Sequence, residues 1–215
     1  MIKAILWDLD GTLLNTLDDL ANSLNFALTA YNLPQKTIQE VKKAVGNGIA
    51  LLIARCIKDG KDNPKFTEIL QTFKEHYSKN SAIKTAPYTQ INATLQTLKT
   101  NGYKLAVVSN KFENAVKELC NKYFPNTFDV IIGETPQIKR KPAPDMLFEA
   151  IKLLKIKPEE IYFIGDSEVD LQTAKNAEIK CLSALWGFRS KDILLANGAT
   201  NFLNTPKEIF EFLRN

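Results

Sequence analysis

The chain has 215 residues, 45% of them hydrophobic, with 28 basic and 24 acidic residues and a formal net charge of +4, enough for one large globular domain or a domain carrying a substantial insertion. The charges are interspersed rather than gathered in a tail or stripe, which argues against a nucleic-acid binder. Three scattered cysteines, Cys56, Cys120 and Cys181, exclude a disulfide framework and a zinc knuckle and fit a reducing cytoplasm, and no apolar run reaches signal-peptide or membrane-span length.

The first predicted element is a buried strand at 4–7, in the stretch AILWDLDGTLL, and it runs straight into Asp8 and Asp10 with Gly11 and Thr12 behind. A carboxylate at the end of a buried strand is costly to desolvate unless a cation or hydrogen-bond donors meet it. From Asn15 to about Ala86 the pattern is wholly helical, with periodic segments at 17–31, 38–45, 49–57 and 66–77. We therefore expect an all-α cap domain, residues 16–84, inserted after the first strand of a core built from 1–15 and 85–215. Beyond it, apolar runs at 105–108, 130–132, 161–164 and 181–185 alternate with helical patterns at 91–98, 115–123, 146–154 and 171–177, and a closing helix is expected at 206–213. The alternation predicts an α/β fold with a doubly wound, Rossmann-like parallel sheet.

In an open parallel sheet, ligands bind beyond the carboxyl ends of the strands. The residues just past each predicted strand are therefore the site candidates: Asp8, Asp10 and Thr12 after the first, Ser109 and Asn110 after the second, Lys141 at a distance after the third, and Gly165, Asp166 and Asp170 after the fourth. Neighbouring carboxylates raise one another's pKa values unless a cation sits among them. Mg²⁺ suits this set, being a hard ion that takes oxygen ligands and a few carboxylates. Asp8, Asp166 and a backbone oxygen near Asp10 are expected to supply the protein's share. Thr12, Ser109, Lys141 and the N–H groups around Gly11 are expected to hold phosphoryl oxygens.

This ordered set resembles the haloacid dehalogenase superfamily, whose four motifs appear here as DLDGT (8–12), SN (109–110), the Lys141 of KPAPD, and GDSEVD (165–170). The resemblance implies nucleophilic attack by Asp8 on phosphorus, giving an aspartyl-phosphate that water cleaves. It implies that Asp10, absent from the metal-free dehalogenases, protonates the leaving alcohol and later deprotonates the water. It also places Asn110 with the phosphate-binding residues. For Asp170 two roles stand open: contact with the metal through water, or orientation of Lys141. Within the helical insertion, VKKAVGNGIALLIARCI (41–57) looks like the substrate loop of the phosphoglycolate phosphatases, with Gly46 and Gly48 at a helix junction and Arg55 on the following helix. GYKLAVVSNK and WGFRS look like other portions of that family, whereas Asn15-Thr16 departs from its frequent Asp-Ser.

Plainer readings compete at several positions. Gly46-Asn47-Gly48 lacks the Lys-Ser/Thr of a P-loop and reads equally as a helix–helix turn, and Arg55 as a surface arginine. Lys139 and Arg140 read as a solvated basic run, while Lys141 precedes a proline and a helix N-terminus that favours anions. His76, the sole histidine, reads as a polar residue on a helix rather than a metal ligand. The expected activity is Mg²⁺-dependent hydrolysis of a small phosphorylated metabolite, 2-phosphoglycolate first, in the cytoplasm, with neither nucleic acid nor membrane as partner and oligomeric state left open. The rivals are a phosphomutase of the same superfamily and a non-catalytic receiver-type domain. A receiver has no use for a long helical insertion after its first strand.

Overall fold

The computed structural model describes residues 1–214. The chain divides into two compact units, one formed by Met1–Leu14 and the segment from Pro87 onward, the other by Asn15–Ala86. In chain order the strands are β1 (Ala4–Trp7), β2 (Leu14–Asn15), β3 (Ala86–Pro87), β4 (Lys104–Phe112), β5 (Val130–Glu134), β6 (Ile161–Gly165), β7 (Lys180–Ala184) and β8 (Phe202–Leu203). The α-helices are α1 (Leu17–Ala30), α2 (Ile38–Ala44), α3 (Ile49–Cys56), α4 (Phe66–Asn80), α5 (Ile91–Thr100), α6 (Glu113–Tyr123), α7 (Asp145–Leu154), α8 (Glu168–Asn176), α9 (Lys191–Ala196) and α10 (Ile209–Leu213).

The first unit is a six-stranded sheet in the order β5-β4-β1-β6-β7-β8, parallel throughout. β1 lies inside it, paired on one side with Lys104–Val107 and on the other with Ile161–Ile164. All four of its residues are fully buried, because helices cover both faces of a parallel sheet; this is why the sequence reads there as an unbroken apolar run. The pleat divides them: Ala4 and Leu6 join Ala106, Val108, Phe163, Met146, Leu147 and Ala150 in one core, and Ile5 and Trp7 face the opposite side. The chain builds outward from β1 to β4 and β5, then returns to β6 on the other side. β1 thus stands at the topological switch point, where such sheets bind ligands.

The second unit is helical. Leu20, Leu24 and Leu28, one turn apart on α1, pack with Val41, Leu52, Ile53, Ile69, Phe73 and Tyr77. A capping box of Thr37 and Glu40 starts α2. Gly46, Asn47 and Gly48 all have positive φ and separate α2 from α3, so the run is a turn between helices.

The predicted segments match observed elements to within a few residues. Three kinds of element carried no sequence signal: the two-residue strands β2, β3 and β8, too short to show periodicity; the six-residue α9; and the 3₁₀ turn Pro206–Glu208 that opens the closing segment before α10. β2 and β3 pair as a separate ribbon.

Within the helical unit, Asp19 on α1 is almost fully buried and accepts hydrogen bonds from three successive backbone N–H groups, Ile83, Lys84 and Thr85, at 2.8–3.1 Å. It fixes the segment leading to β3. Replacing Asp19 by Ala leaves those donors without their acceptor, so urea unfolding should show a loss of about 1.5–3 kcal/mol, the range for bonds to a charged group. A loss below about 0.5 kcal/mol would show that water serves the three N–H groups equally well.

Candidate active site

The carboxyl ends of β1, β4 and β6, with the segment leading to α7, bring the singled-out side chains together. Asp8 follows β1 directly, its N–H donating to Ile164 O at 2.8 Å. Asp166 follows β6, and Asp170 sits in the first turn of α8, whose Ser167 N-cap forms a capping box with it. Asp8, Asp166 and Asp170 each offer a carboxylate oxygen, and these oxygens lie within 4.8 Å of one another. Lys141 Nζ stands 2.9 Å from Asp8 Oδ1 and 2.6 Å from Asp170 Oδ1. Both roles left open for Asp170 keep an observation: one oxygen lies on Lys141 and the other is taken up by the Ser167 hydroxyl at 2.6 Å and the Ser167 N–H at 3.2 Å, and the residue belongs to the three-carboxylate group.

Four carboxylates, those of Asp8, Asp10, Asp166 and Asp170, face two buried ammonium groups, Lys111 and Lys141, so the cluster is two negative charges out of balance. The flanking Arg189 and Glu168 pair with each other at 2.8 Å and add nothing to the sum. The imbalance shows in the acidities. Burial, then the Asp170 and Asp166 charges, raise Asp8 well above the ordinary carboxylate range against the pull of Lys141. Burial and Asp170 push Asp166 up to about 7. Burial draws the Lys141 ammonium down, but Asp170 and Asp8 outweigh it and hold its pKa above the usual value. A buried oxygen-donor set lacking two positive charges fits a divalent cation.

Several side chains do something other than the sequence led us to expect. Thr12 is fully buried, and its hydroxyl donates to Asp166 Oδ1 at 3.2 Å, so it positions a carboxylate rather than standing toward phosphate. The N–H groups of Gly11 and Thr12 are spent inside the turn, on Leu14 O at 2.9 Å and Leu9 O at 3.3 Å. Gly11 is required sterically: it has φ +86°, and a Cβ there would lie 2.4 Å from Asp166 Oδ2. Asn110 clamps the Lys141 backbone, accepting from its N–H at 2.8 Å and donating to its carbonyl at 2.9 Å, instead of facing phosphate. The Asp10 carboxylate lies outside the three-carboxylate cluster, paired with Lys111. Ser109 is buried and accepts from the Lys111 N–H at 3.3 Å, which leaves its own hydroxyl proton to donate.

In the helical unit, Arg55 Nη1 donates to Ala44 O at 2.9 Å and Gly46 O at 3.2 Å. The sequence left Arg55 open between a substrate residue and a surface arginine; the structure shows it tying down the Gly46–Gly48 turn. His76 stacks on Phe26 and bonds Ser23 Oγ at 3.0 Å, as a helix-packing residue does.

Sequence reasoning passed over two contributions. Lys111 directly follows Ser109 and Asn110 on the same strand end, and the Phe188 N–H donates to Asp166 Oδ2 at 2.6 Å while Trp186 Nε1 donates to Thr12 O at 2.9 Å. Both lie at a strand end, that of β4 and that of β7 respectively. Carrying the inventory of strand ends one residue further, and to the fifth apolar run, would have found them.

The profile of the family described as haloacid dehalogenase-like hydrolase matches residues 5–184. The chain is 33% identical to a phosphoglycolate phosphatase of Aquifex aeolicus over 217 residues, covering 100% of this chain and 98% of that one. It is 33% identical to a phosphoglycolate phosphatase of Haemophilus influenzae, covering 86% of this chain and 87% of that one. A crystal structure from Lactobacillus delbrueckii subsp. bulgaricus superposes with a TM-score of 0.91 at 35% identity, covering 98% of both chains.

The charge imbalance sets a pH dependence. A carboxyl whose folded-state pKa is raised holds its proton more tightly folded than unfolded, so the metal-free protein should lose stability as pH rises from about 4 through about 7. Mg²⁺ bound among these carboxylates would displace those protons. At saturation it should raise the melting temperature by about 5–10 °C near pH 8 and by much less near pH 5. A shift of equal size at both pH values in a thermal melt would contradict a cation held by Asp8 and Asp166.

Proposed function

The chain belongs to the haloacid dehalogenase-like hydrolases, and from that membership we propose that it hydrolyses a small phosphate monoester, 2-phosphoglycolate before others, with Mg²⁺ and through an aspartyl-phosphate on Asp8. The observation that carries the reading is the state of Asp8. Its Oδ1 is held by the Leu9 N–H at 2.7 Å and by Lys141, while Oδ2 has no hydrogen-bond partner among the described residues. A carboxylate oriented through one oxygen and open at the other is placed to act as a nucleophile.

In the first half-reaction, a bond forms between an Asp8 oxygen and phosphorus as the bond from phosphorus to the leaving oxygen breaks. Asp10 passes its proton to that oxygen, releasing the alcohol. In the second, water adds to phosphorus and gives a proton to the Asp10 carboxylate; the bond to Asp8 breaks and inorganic phosphate leaves. Lys141 and the Ser109 hydroxyl meet the phosphoryl oxygens as charge builds on them. Bound through Asp8 and Asp166, Mg²⁺ would supply the positive charge that the cluster lacks and screen the phosphoryl group from the carboxylates. Monoester hydrolysis without a catalyst is slow enough that accelerations reach about 10²¹-fold, which is why several charged groups converge here.

Substrate choice we assign to the helical unit acting as a cap. The 2-phosphoglycolate reading draws on the relatives' activity and on the Gly46–Gly48 turn that Arg55 holds in shape. With Mg²⁺ present, 2-phosphoglycolate should release phosphate with the highest kcat/KM in a panel including sugar phosphates, nucleotides and pyrophosphate, and a chelator should stop release. Asp8→Asn should reduce turnover at least about 1000-fold with the melting curve kept, because an amide is not a nucleophile toward phosphorus. Transfer of phosphate to a sugar phosphate, with none set free, would favour a mutase instead.

A further inference from the structure

We propose that Lys111 is a positioning residue that holds the Asp10 carboxylate in line for proton transfer, an assignment that rests on reading Asp10 as the proton donor to the leaving oxygen. Lys111 Nζ lies 2.9 Å from Asp10 Oδ1 and 3.1 Å from Oδ2, and the residue is only 6% exposed. An ammonium taken out of water must be compensated, and near-equal contact with both oxygens fixes where the carboxylate group can sit.

The backbone is shaped to deliver this side chain. β4 and β5 run in register from Ala106↔Val130 to Val108↔Ile132, but the next pair is Phe112↔Glu134, so four residues of β4 pass against two of β5. The irregularity contains Ser109, Asn110 and Lys111. Bulges of this kind re-aim side chains beside active sites. Gly133, opposite on β5, is what allows it: a Cβ there would meet the Lys111 carbonyl oxygen at 2.8 Å and Glu113 Cα at 2.3 Å. An interrupted ladder, a glycine beneath it and a buried lysine at its tip all serve one contact with Asp10.

Proton transfer is sensitive to placement, since donor and acceptor must reach hydrogen-bond distance in alignment. Without Lys111 nothing fixes the carboxylate against the leaving oxygen, and losing that orientation would hinder proton transfer to it. Positioning therefore predicts a loss on Lys111 removal, confined in the first half-reaction to substrates whose leaving group needs the proton, whereas the hydrolytic half-reaction is common to all substrates.

The test compares the single-turnover rate of leaving-group release, and KM, for an alkyl phosphate and a p-nitrophenyl phosphate, with Mg²⁺, in the native protein and in Lys111→Met, Lys111→Arg and Asp10→Asn. Lys111→Met should lower that rate on the alkyl ester about 10- to 100-fold and on the aryl ester no more than about 3-fold, with KM changed less than about 2-fold on either. Lys111→Arg, which keeps a two-pronged cation, should recover most of the alkyl loss. Asp10→Asn should show the same selectivity more deeply. Should Lys111→Met fail to fold by its melting curve, Lys111→Gln carries the comparison. Uniform loss on both esters, a change mainly in KM, or a gain on the alkyl ester would overturn the assignment while Asp10→Asn remains selective. Uniform loss in Asp10→Asn itself would instead remove the donor reading on which the assignment stands.

Discussion

A deficit of two positive charges at the carboxyl edge of a buried parallel sheet governs the rest of the site. Desolvated carboxylates repel one another and lose their hydration together. The fold supplies Lys111 and Lys141 as direct ion-pair partners, and Arg189, itself paired with Glu168, draws the Asp166 pKa down only in part. The remainder can be met by retained protons when no cation is present, in keeping with the raised pKa values of Asp8 and Asp166, and by a divalent ion when one is. The deficit is therefore a binding site expressed as electrostatics.

Around it lies a layer of residues whose task is to hold others still. Asn110 grips the Lys141 backbone from both sides, Ser167 ties one oxygen of Asp170 so that the other faces Lys141, and the Phe188 N–H and Thr12 hydroxyl fix the two oxygens of Asp166. The contacts cross strand ends far apart in sequence: Thr12 and Asp166 are separated by 154 positions. Precision in such sites comes from supporting hydrogen bonds on rigid elements. Here the rigidity starts with β1, fully buried between two partners, so that Asp8 emerges from a strand held on both sides.

The range of each interaction decides how much of this was legible in the sequence. β1 declares itself because a strand buried on both faces must be apolar throughout, and α1 because Leu20, Leu24 and Leu28 recur at helical spacing. The site residues could be gathered because the parallel sheet sends every strand's carboxyl end to one edge. Their division of labour could not. Threonine reads as a phosphate ligand until a carboxylate from another strand claims its hydroxyl, and Asn110 reads the same way until Lys141 arrives from the segment before α7. Arg55 is the counterpart in the helical unit: its position on α3 was readable, but its bonds to Ala44 and Gly46 depend on the turn those residues make. Sequence periodicity encodes which face a residue occupies and says nothing of which partner reaches it first.

The charge sum also orders the binding events. A phosphate dianion approaching the metal-free edge would bring two more negative charges to a cluster already two short of neutrality, and Lys141, whose charge already serves Asp8 and Asp170, has one N–H left to offer it. Protons held by Asp8 and Asp166 would soften that repulsion, but a protonated Asp8 is no nucleophile. A cation between the carboxylates resolves both conflicts together, because it lowers the pKa values of the groups that bind it and presents positive charge to the incoming anion. On the proposed mechanism, phosphate recognition and nucleophile activation at this edge become one electrostatic event, coupled by the buried carboxylates that make the site costly without a cation.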